Sequence, residues 1–313
     1  MKDIENIIYM GQSAEFFKTN ISALEELGYK KDLYKIKAVE FNFKGTKPQL
    51  GQVANENDVE HFASNDKKQM EEYLLNEKGK TLILSVGNSY IIPEKVILKK
   101  NLIVVNRHSA LLKPDLEARK FAHLDHVKMP PVRRGFFVPR HALYEYDDVT
   151  GITFHHVDAG IDTGDVIFQE SALIPPGMNI DELLNMQGQL SKNSVGKVIE
   201  QILNGTSQRI EQEFKTGDKY HTQKHYPNGG VLNVGDGLDE LYHYLRSFHI
   251  KNPAPWNKML IHPLKLSDGE GLLGDIKNYS YLMGSNEKKG ATFDKVAGIY
   301  RIVANEDSLE IML

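Results

Sequence analysis

The sequence predicts an α/β fold, a mostly parallel sheet with helices on its faces, followed by a smaller C-terminal module of α+β or β-rich character. Three observations lead there. Short apolar runs alternate with amphipathic segments through the first part of the chain, and a long stretch of helical periodicity closes that part. Beyond it the pattern breaks into short apolar runs set among glycine, proline and asparagine. Taken in order, Ile7-Ile8-Tyr9-Met10 reads as a first strand ending at Gly11, and Ala14 to Leu27 as a helix stopped by Gly28. Leu33 to Phe41 is a second strand. Lys67 to Leu75 is helical, and Thr81 to Val86 and Leu102 to Asn106 are buried strands with a short helix starting near Pro93 between them. Parallel strands carry their functional loops at their carboxyl ends, so Gly11, Gly87 and Asn106 are expected on one rim.

The stretch from Leu112 to Arg134 holds Pro114, Pro130, Pro131 and several charges, and reads as a long surface loop. Thr150 to Val157 and Val166 to Leu173 are two further strands. After Asn179, an N-cap, apolar residues Ile180, Leu183, Leu184, Leu190, Val195, Val198, Ile199 and Ile202 fall at helical spacing as far as Gly205. The expected division is therefore a first domain over 1–205, a linker over 206–219 and an accessory domain over 220–313. In the last, a helix from Leu238 to Phe248 precedes short strands.

Composition narrows the function. The 313 residues are 41% hydrophobic and 26% charged, which excludes disordered and fibrous classes. A formal charge of −4 gives no general attraction to nucleic acid or an anionic membrane. Residues 220–313 carry ten Lys/Arg against eleven Asp/Glu and so lack the basic footprint of a tRNA-binding appendage. The absence of cysteine removes disulfides, thiol nucleophiles, iron–sulfur clusters and cysteine zinc sites together. The N-terminal residues carry acids and no apolar signal core, and no apolar run approaches the ~20 residues of a spanning helix, so the expected location is the cytoplasm.

Asn106-Arg107-His108 follows a buried strand, so Asn106 and His108 can project from the same rim with one residue between them. An imidazole handles protons near neutral pH, and a carboxamide N–H can donate to a developing oxyanion. Taken alone, a turn-capping Asn and a surface His account for the pair more often than a site does. Thr153 and His155 share one face of their strand; His156 and Asp158 take the other. Metal sets built from His155, His156 and Asp158, or from His123, Asp125 and His126, are disfavoured. The first diverges on the pleat, and the second lies in a proline-bounded loop. Gly11 stands without the other glycines of Gly-x-Gly-x-x-Gly, and no phosphate-binding Gly-x-x-x-x-Gly-Lys-Ser/Thr loop is present. Lys128, Arg133, Arg134 and Arg140 crowd together, either as a phosphate reader or as a solvated charged surface.

Asn106-x-His108 after a strand, followed by a strand through Gly151 to Val157 and the loop Asp158-Ala159-Gly160-Ile161-Asp162-Thr163-Gly164-Asp165, resembles the folate-dependent formyltransferases, most closely the sugar N-formyltransferases. Tyr9-Met10-Gly11, Ser85 to Pro93, and Arg134-Gly135 ahead of Ala142-Leu143 agree in order. The resemblance covers the first domain; residues 220–313 are similar only loosely to that family's accessory domains. It implies a Rossmann-like formyltransferase domain that takes 10-formyltetrahydrofolate as formyl donor and needs no metal. Asn106, His108 and Asp162 are then the catalytic trio: Asn106 stabilises the oxyanion, His108 moves protons, and Asp162 favours the imidazolium and orders water. Ser89, Tyr90, Ile91 and Ile92, with Val157, Asp158, Ala159, Gly160 and Ile161, embrace the pterin, mainly through main-chain groups. Without the resemblance, Ile91 and Ile92 read as core. Thr153 and His155 are placed around Asp162.

Two departures stand out. The family's Pro-Ser-Leu-Leu-Pro after Asn-x-His is here Ser109-Ala110-Leu111-Leu112-Lys113-Pro114, running into an insertion that ends at Arg134. Arg107 stands where an apolar residue is usual and, with Arg134, is a candidate contact to a substrate phosphate. The expected acceptor is the primary amine of a nucleotide-linked amino sugar. The non-basic C-terminal module favours it, as does the similarity of Lys219 to Gly230 and Leu241 to Arg246 to sugar N-formyltransferases. Methionyl-tRNA, or an amino acid such as hydroxyornithine, is the alternative acceptor, and a non-catalytic folate-binding protein the alternative of another class. A nucleic acid or membrane partner is not expected, and a homodimer stays open.

Overall fold

The computed structural model describes residues 4–28, 35–42, 48–88, 90–213, 215, 217–222, 226–251, 264–268, 272–282, 290–294, 297–304 and 307–313. The chain divides into two compact units. Unit 1 comprises Met1–Gly135, Asp148–Leu173 and Asn185–Tyr220; unit 2 comprises Phe136–Asp147, Ile174–Leu184 and His221–Leu313.

The first half of the chain runs β1 (Ile4–Gly11), α1 (Ala14–Glu26), β2 (Lys35–Phe41), α2 (Gly51–Glu56), β3 (Glu60–Ser64), α3 (Lys67–Leu75), β4 (Lys80–Val86), α4 (Glu94–Ile97) and β5 (Leu102–His108). Then come α5 (Ala118–Phe121), β6 (Arg133–Gly135), α6 (Pro139–Tyr144), β7 (Val149–His156), β8 (Val166–Leu173), α7 (Ile180–Asn204) and β9 (Lys219–His221). Unit 1 is built on a seven-stranded sheet of order β3-β2-β1-β4-β5-β7-β8. It is parallel from β3 to β5, while β7 runs antiparallel to β5 and β8. This is the mostly parallel, Rossmann-like sheet that the sequence predicted.

The central strands read as unbroken apolar runs because both faces are covered. Leu82, Leu84 and Val105 pack with Val195, Val198, Ile199 and Ile202 of α7 on one face. Ile83, Met10 and Val104 pack with Met70, Leu74 and Val96 on the other. Helix starts follow local chemistry. Ser13 Oγ accepts from Phe16 N at 3.3 Å, and Asn179 and Glu182 cap each other reciprocally at 2.9 and 3.1 Å before α7.

Sequence and structure part in three places. β5 runs on through Asn106 and Arg107 to His108, so these residues are the strand's own end and not the turn beyond it. α2 and β3 escaped the sequence reading, because the edge strand Glu60-His61-Phe62-Ala63-Ser64 is short and mostly polar on its exposed side. The stretch expected as a surface loop contains two short helical segments, and Leu112, Pro114, Glu117, Val132 and Arg133 within it are buried. Leu33 and Tyr34, expected at the start of the second strand, lie outside the described residues.

Unit 2 holds α6, β10 (Val231–Asn233), α8 (Leu238–Phe248), β11 (Lys265–Ser267), β12 (Leu272–Asp275), β13 (Asn278–Leu282), β14 (Gly290–Asp294), β15 (Ile299–Ala304) and β16 (Asp307–Met312). Among the described residues these strands form a three-stranded sheet, β10-β11-β12, and a four-stranded one, β13-β16-β15-β14. Leu238, Leu241, Leu245 and Phe248 make the buried stripe of α8, in one core with Leu266, Ile302, Leu309 and Ile311. Two internal segments cluster with these C-terminal residues. Tyr144 meets Tyr244 and Phe248 edge-on, and Arg246 Nη1 donates to the Met178 carbonyl at 2.8 Å.

A Cβ on Gly151, in β7, would stand 2.4 Å from the Glu170 carbonyl oxygen, which is backbone and cannot yield cheaply. One on Gly188, inside α7, would meet nothing within 4 Å. Gly151→Ala is therefore expected to destabilise by about 1–3 kcal/mol and Gly188→Ala to stabilise by about 0.5–1 kcal/mol. Chemical denaturation of both variants reads the two signs.

Candidate active site

The site lies in unit 1, where the register of β5 on β7 sets Asn106 opposite His155 and His108 opposite Thr153. Alternation sends Asn106 and His108 one way and Arg107 the other. The loop after β7 brings Asp162 to them. Asp162 adopts a left-handed backbone with φ 54°, a conformation costing about 1 kcal/mol or more in a non-glycine residue.

The Asp162 carboxylate lies at the centre of the contacts. Oδ2 is 3.4 Å from His108 Nδ1 and accepts from Gly135 N at 2.9 Å; Oδ1 is 3.5 Å from His155 Nε2 and accepts from Asn106 Nδ2 at 3.3 Å. Asn106 Nδ2 also lies 3.2 Å from His155 Nε2. Both imidazoles have a carbonyl on their far nitrogen, which fixes where the proton sits. His155 Nδ1 donates to the His156 carbonyl at 2.7 Å, leaving Nε2 to accept from Asn106. His108 Nε2 donates to the Arg133 carbonyl at 2.8 Å, leaving Nδ1 bare toward Asp162 when the ring is neutral.

Burial pushes the His108 pKa down, and the Asp162 charge opposes that shift. For Asp162, burial alone would raise the pKa. The neighbouring His108 and His155 and the Gly135 N–H outweigh it and hold the carboxyl well below the usual carboxylate range. The arrangement is a neutral base with an ionised carboxylate placed to receive a proton arriving on Nδ1.

Of the expected neighbours, His155 meets Asp162, and Thr153 does not. The Thr153 hydroxyl donates to the Ala110 carbonyl at 2.7 Å and accepts from Leu112 N at 3.1 Å, so it fastens the chain that leaves β5. Arg107 and Arg134 also need correcting. The Arg107 guanidinium is buried, donating to Ser109 Oγ at 2.7 Å and the Gln187 carbonyl at 3.1 Å, with its charge over the Phe16 ring. Burial brings its pKa down to about 10, so it stays charged as an internal brace, turned away from a phosphate on the rim. Arg134 is 5% exposed and donates to the Asp162 carbonyl, Gln212 and Asp218. Arg133 and Arg140 are 2% and 1% exposed, so the three arginines of the cation cluster are buried, and Lys128 alone of the four is exposed. Gln212 and Asp218 escaped the sequence reading, because they fall in a stretch that carries no motif.

A cavity of about 290 Å³ adjoins these segments, with Ile97, Leu102, Val104 and Val157 as apolar walls and His156 and Asp158 among its polar ones. His156 Nε2 is buried without a hydrogen-bond partner, and burial brings the pKa of that ring down to about 4. On the two loops expected to hold a pterin, Ile91 and Ile161 are exposed large apolar residues, 74% and 41% accessible. Tyr90 and Ile92 are buried in the core, and Ser89 lies outside the described residues. Asp158 shapes its own loop by accepting from Gly160 N and Thr163 Oγ1.

For metals, His155 and His156 point to opposite faces of β7, and His123, Asp125 and His126 are exposed. One trio among the described residues, His141, Glu145 and His221 of unit 2, brings three ligand-type atoms together. Its two imidazoles are stacked at 3.8 Å, and Arg140 Nε donates to His141 Nε2 at 3.3 Å. Stacked rings cannot both aim an in-plane lone pair at one ion, and a guanidinium occupies one acceptor.

The family model described as formyl transferase matches residues 44–199. The methionyl-tRNA formyltransferase of Campylobacter curvus is 26% identical over 191 residues, covering 58% of this chain and 60% of the relative. The chain thus spans about 60% of the length of that curated relative. Among solved structures, the N-formyltransferase from Helicobacter canadensis, in complex with folinic acid and dTDP-3-aminofucose, aligns with TM-score 0.66 and 16% identity over 99% of each chain. WlaRD, a sugar 3N-formyl transferase in the presence of dTDP and 5-N-formyl-THF, aligns with TM-score 0.65 and 15% identity over 99% of this chain and 97% of its own. These structural likenesses are of fold. The matched segment contains β5, β7, the Asp162 loop and most of α7, and with it the chain belongs to the formyl transferase family.

Proposed function

We propose that unit 1 transfers a formyl group from 10-formyltetrahydrofolate to a primary amine, with Asn106, His108 and Asp162 as the reacting groups. The observation that carries this reading is the His108 Nδ1–Asp162 Oδ2 approach of 3.4 Å, with Asn106 bonded to the same carboxylate. The cavity suits the donor. It has apolar walls for a bicyclic heteroaromatic ring, an orphaned polar atom on His156, and exposed Ile91 and Ile161 on the adjoining loops that the family resemblance assigns to the pterin.

When bound, the donor supplies a formyl carbon already activated by its nitrogen. His108 Nδ1 takes a proton from the attacking amine, and Asp162 Oδ2 holds the imidazolium so formed. Arg133 keeps its hydrogen bond at Nε2 throughout, so the ring does not turn as it charges. The Asn106 N–H shared with Asp162 at 3.3 Å is the longer of that amide's two contacts, and it is the one that a developing oxyanion competes for. His108 then returns its proton to the leaving nitrogen.

For the acceptor we favour a nucleotide-linked amino sugar. Support comes from relatives whose own structures contain dTDP or dTDP-3-aminofucose and align over nearly the whole chain, and from the near-neutral C-terminal residues. Initiator methionyl-tRNA is the second reading, favoured by the name of the curated relatives. Incubation with 10-formyltetrahydrofolate and a panel of dTDP-amino sugars, methionyl-tRNA and hydroxyornithine, read by product mass, is expected to give a formylated sugar nucleotide. Efficient formylation of the tRNA with no sugar product would sink the acceptor choice, and no product of any kind would sink the transfer itself.

His108→Asn and Asp162→Asn are each expected to lower kcat by roughly 10²–10⁴. Binding of 5-formyltetrahydrofolate, measured by calorimetry, should stay within a few-fold, because neither group is part of the cavity wall. Rates within twofold of wild type would remove both residues from the mechanism. Dialysis against a chelator is expected to leave the rate unchanged, since Asn106 supplies the electrophilic assistance; loss that zinc restores would contradict this.

A further inference from the structure

We infer that the segment 206–220, which follows α7 and lies beyond the matched residues 44–199, is a working part of the site: Gln212, braced by Arg134 and Asp218, positions Asp162 against His108. The catalytic consequence rests on the transfer proposed above; the positioning itself does not.

The contacts converge on the backbone of the Asp162 turn. Gln212 Nε2 donates to the Asp162 carbonyl at 3.2 Å and to the Gly164 carbonyl at 2.6 Å, spanning the turn with one amide. Arg134 Nε donates to the same Asp162 carbonyl at 3.1 Å. The Gln212 Oε1 accepts from Arg134 Nη2 at 2.9 Å, and Asp218 Oδ2 accepts from Arg134 Nη1 at 3.0 Å. Gly135, the neighbour of Arg134, gives its N–H to the Asp162 side chain, so one short strand grips both the backbone and the carboxylate of the same residue.

The segment that supplies Gln212 and Asp218 is itself anchored on both sides. Ile210 exchanges two backbone hydrogen bonds with Val166 at 2.8 and 3.0 Å, and Lys219 N donates to the Val132 carbonyl at 2.8 Å. Gln212 is 6% exposed and Arg134 5%. A left-handed Asp162 persists only where its surroundings over-determine it, and these donors are what does so. Buried amides and guanidinium donors on a turn carbonyl are also more than a solvent-exposed linker would need.

The charged and titratable groups that act on His108 are Asp162 and His155 beside it and Arg107 from the other side of the strand, with the Arg133 carbonyl on its other nitrogen. Of these only Asp162 raises the His108 pKa by its charge; positive charge on the other two lowers it. Loosening Asp162 therefore moves the His108 titration to lower pH. A change that merely weakened packing elsewhere would leave that midpoint in place.

The test uses the full chain. In Gln212→Ala, long-range ¹H–¹⁵N spectra of the unliganded protein should show the His108 midpoint about half a pH unit or more below wild type. The kcat for formyl transfer should fall by about 10–100-fold, with KM for donor and acceptor within threefold and the acid limb of the kcat profile moved down with His108. Arg134→Lys keeps the charge beside Asp218 but loses the donors to Asp162 and Gln212. It is expected to shift both readouts in the same direction, and it serves where Gln212→Ala does not fold. An unmoved His108 midpoint, or a kcat within twofold of wild type, overturns the inference. A wild-type protein that transfers no formyl group to any acceptor overturns the proposed function instead, and the midpoint still decides the positioning.

Discussion

Holding the Asp162 carboxylate ionised in a place that burial would otherwise neutralise is the constraint on which the site's other contacts depend. A desolvated carboxylate keeps its charge only when donors and cations surround it closely. Here Gly135 N and Asn106 Nδ2 donate to it, and two imidazole rings stand 3.4 and 3.5 Å away, each able to carry a balancing charge when protonated. Each of those groups is fixed in turn by a backbone carbonyl or a strand register. The Arg133 carbonyl holds His108 and the His156 carbonyl holds His155. The charge thus rests largely on side chains that the main chain holds in place.

The sheet changes direction at β7, and the contacts to Asp162 use that change. A parallel neighbour for β5 would need a long crossover connection and would itself end on the rim where β5 ends. The antiparallel β7 instead brings a strand alongside with His155 opposite Asn106 and Thr153 opposite His108. His155 then acts on the carboxylate, while Thr153 fastens the segment after β5 through Ala110 and Leu112. The loop that leaves β7 returns Asp162 to the same rim.

Much of this was legible in the sequence, for physical reasons that differ by element. β1, β4, β5, β7 and β8 were readable because strands buried on both faces must be apolar throughout, and α7 because a long helix on a sheet shows its stripe over many turns. Asn106, His108 and Asp162 were nameable by resemblance, but their approach is a property of register and loop return, which composition does not encode. β3 was missed because an edge strand need bury only one side. Arg107 and Arg134 were misread for one reason: a cation near a rim looks the same in sequence whether it faces a ligand or a carbonyl. Gln212 gave no signal at all, since one glutamine amide among polar residues has no pattern to betray it.

The burial of Arg107 bears on how the altered segment after His108 is held. Arg107 has no carboxylate within hydrogen-bonding reach among its described contacts, which are Ser109 Oγ, the Gln187 carbonyl and the Phe16 ring. Gln187 in turn donates to the Ser109 carbonyl at 3.0 Å and to Thr150 Oγ1 at 2.8 Å. Ser109 is therefore held at side chain and backbone by one guanidinium and one amide, on the side of the strand opposite to the Asp162 cluster. Hydrogen bonds from α7 and from its own strand end hold the chain after His108. A guanidinium suits that task, since it can satisfy a hydroxyl and a carbonyl at once and remains charged even at a pKa of about 10. The charge at position 107 thus has a task inside the fold, holding the segment after His108, without a ligand having to call for it.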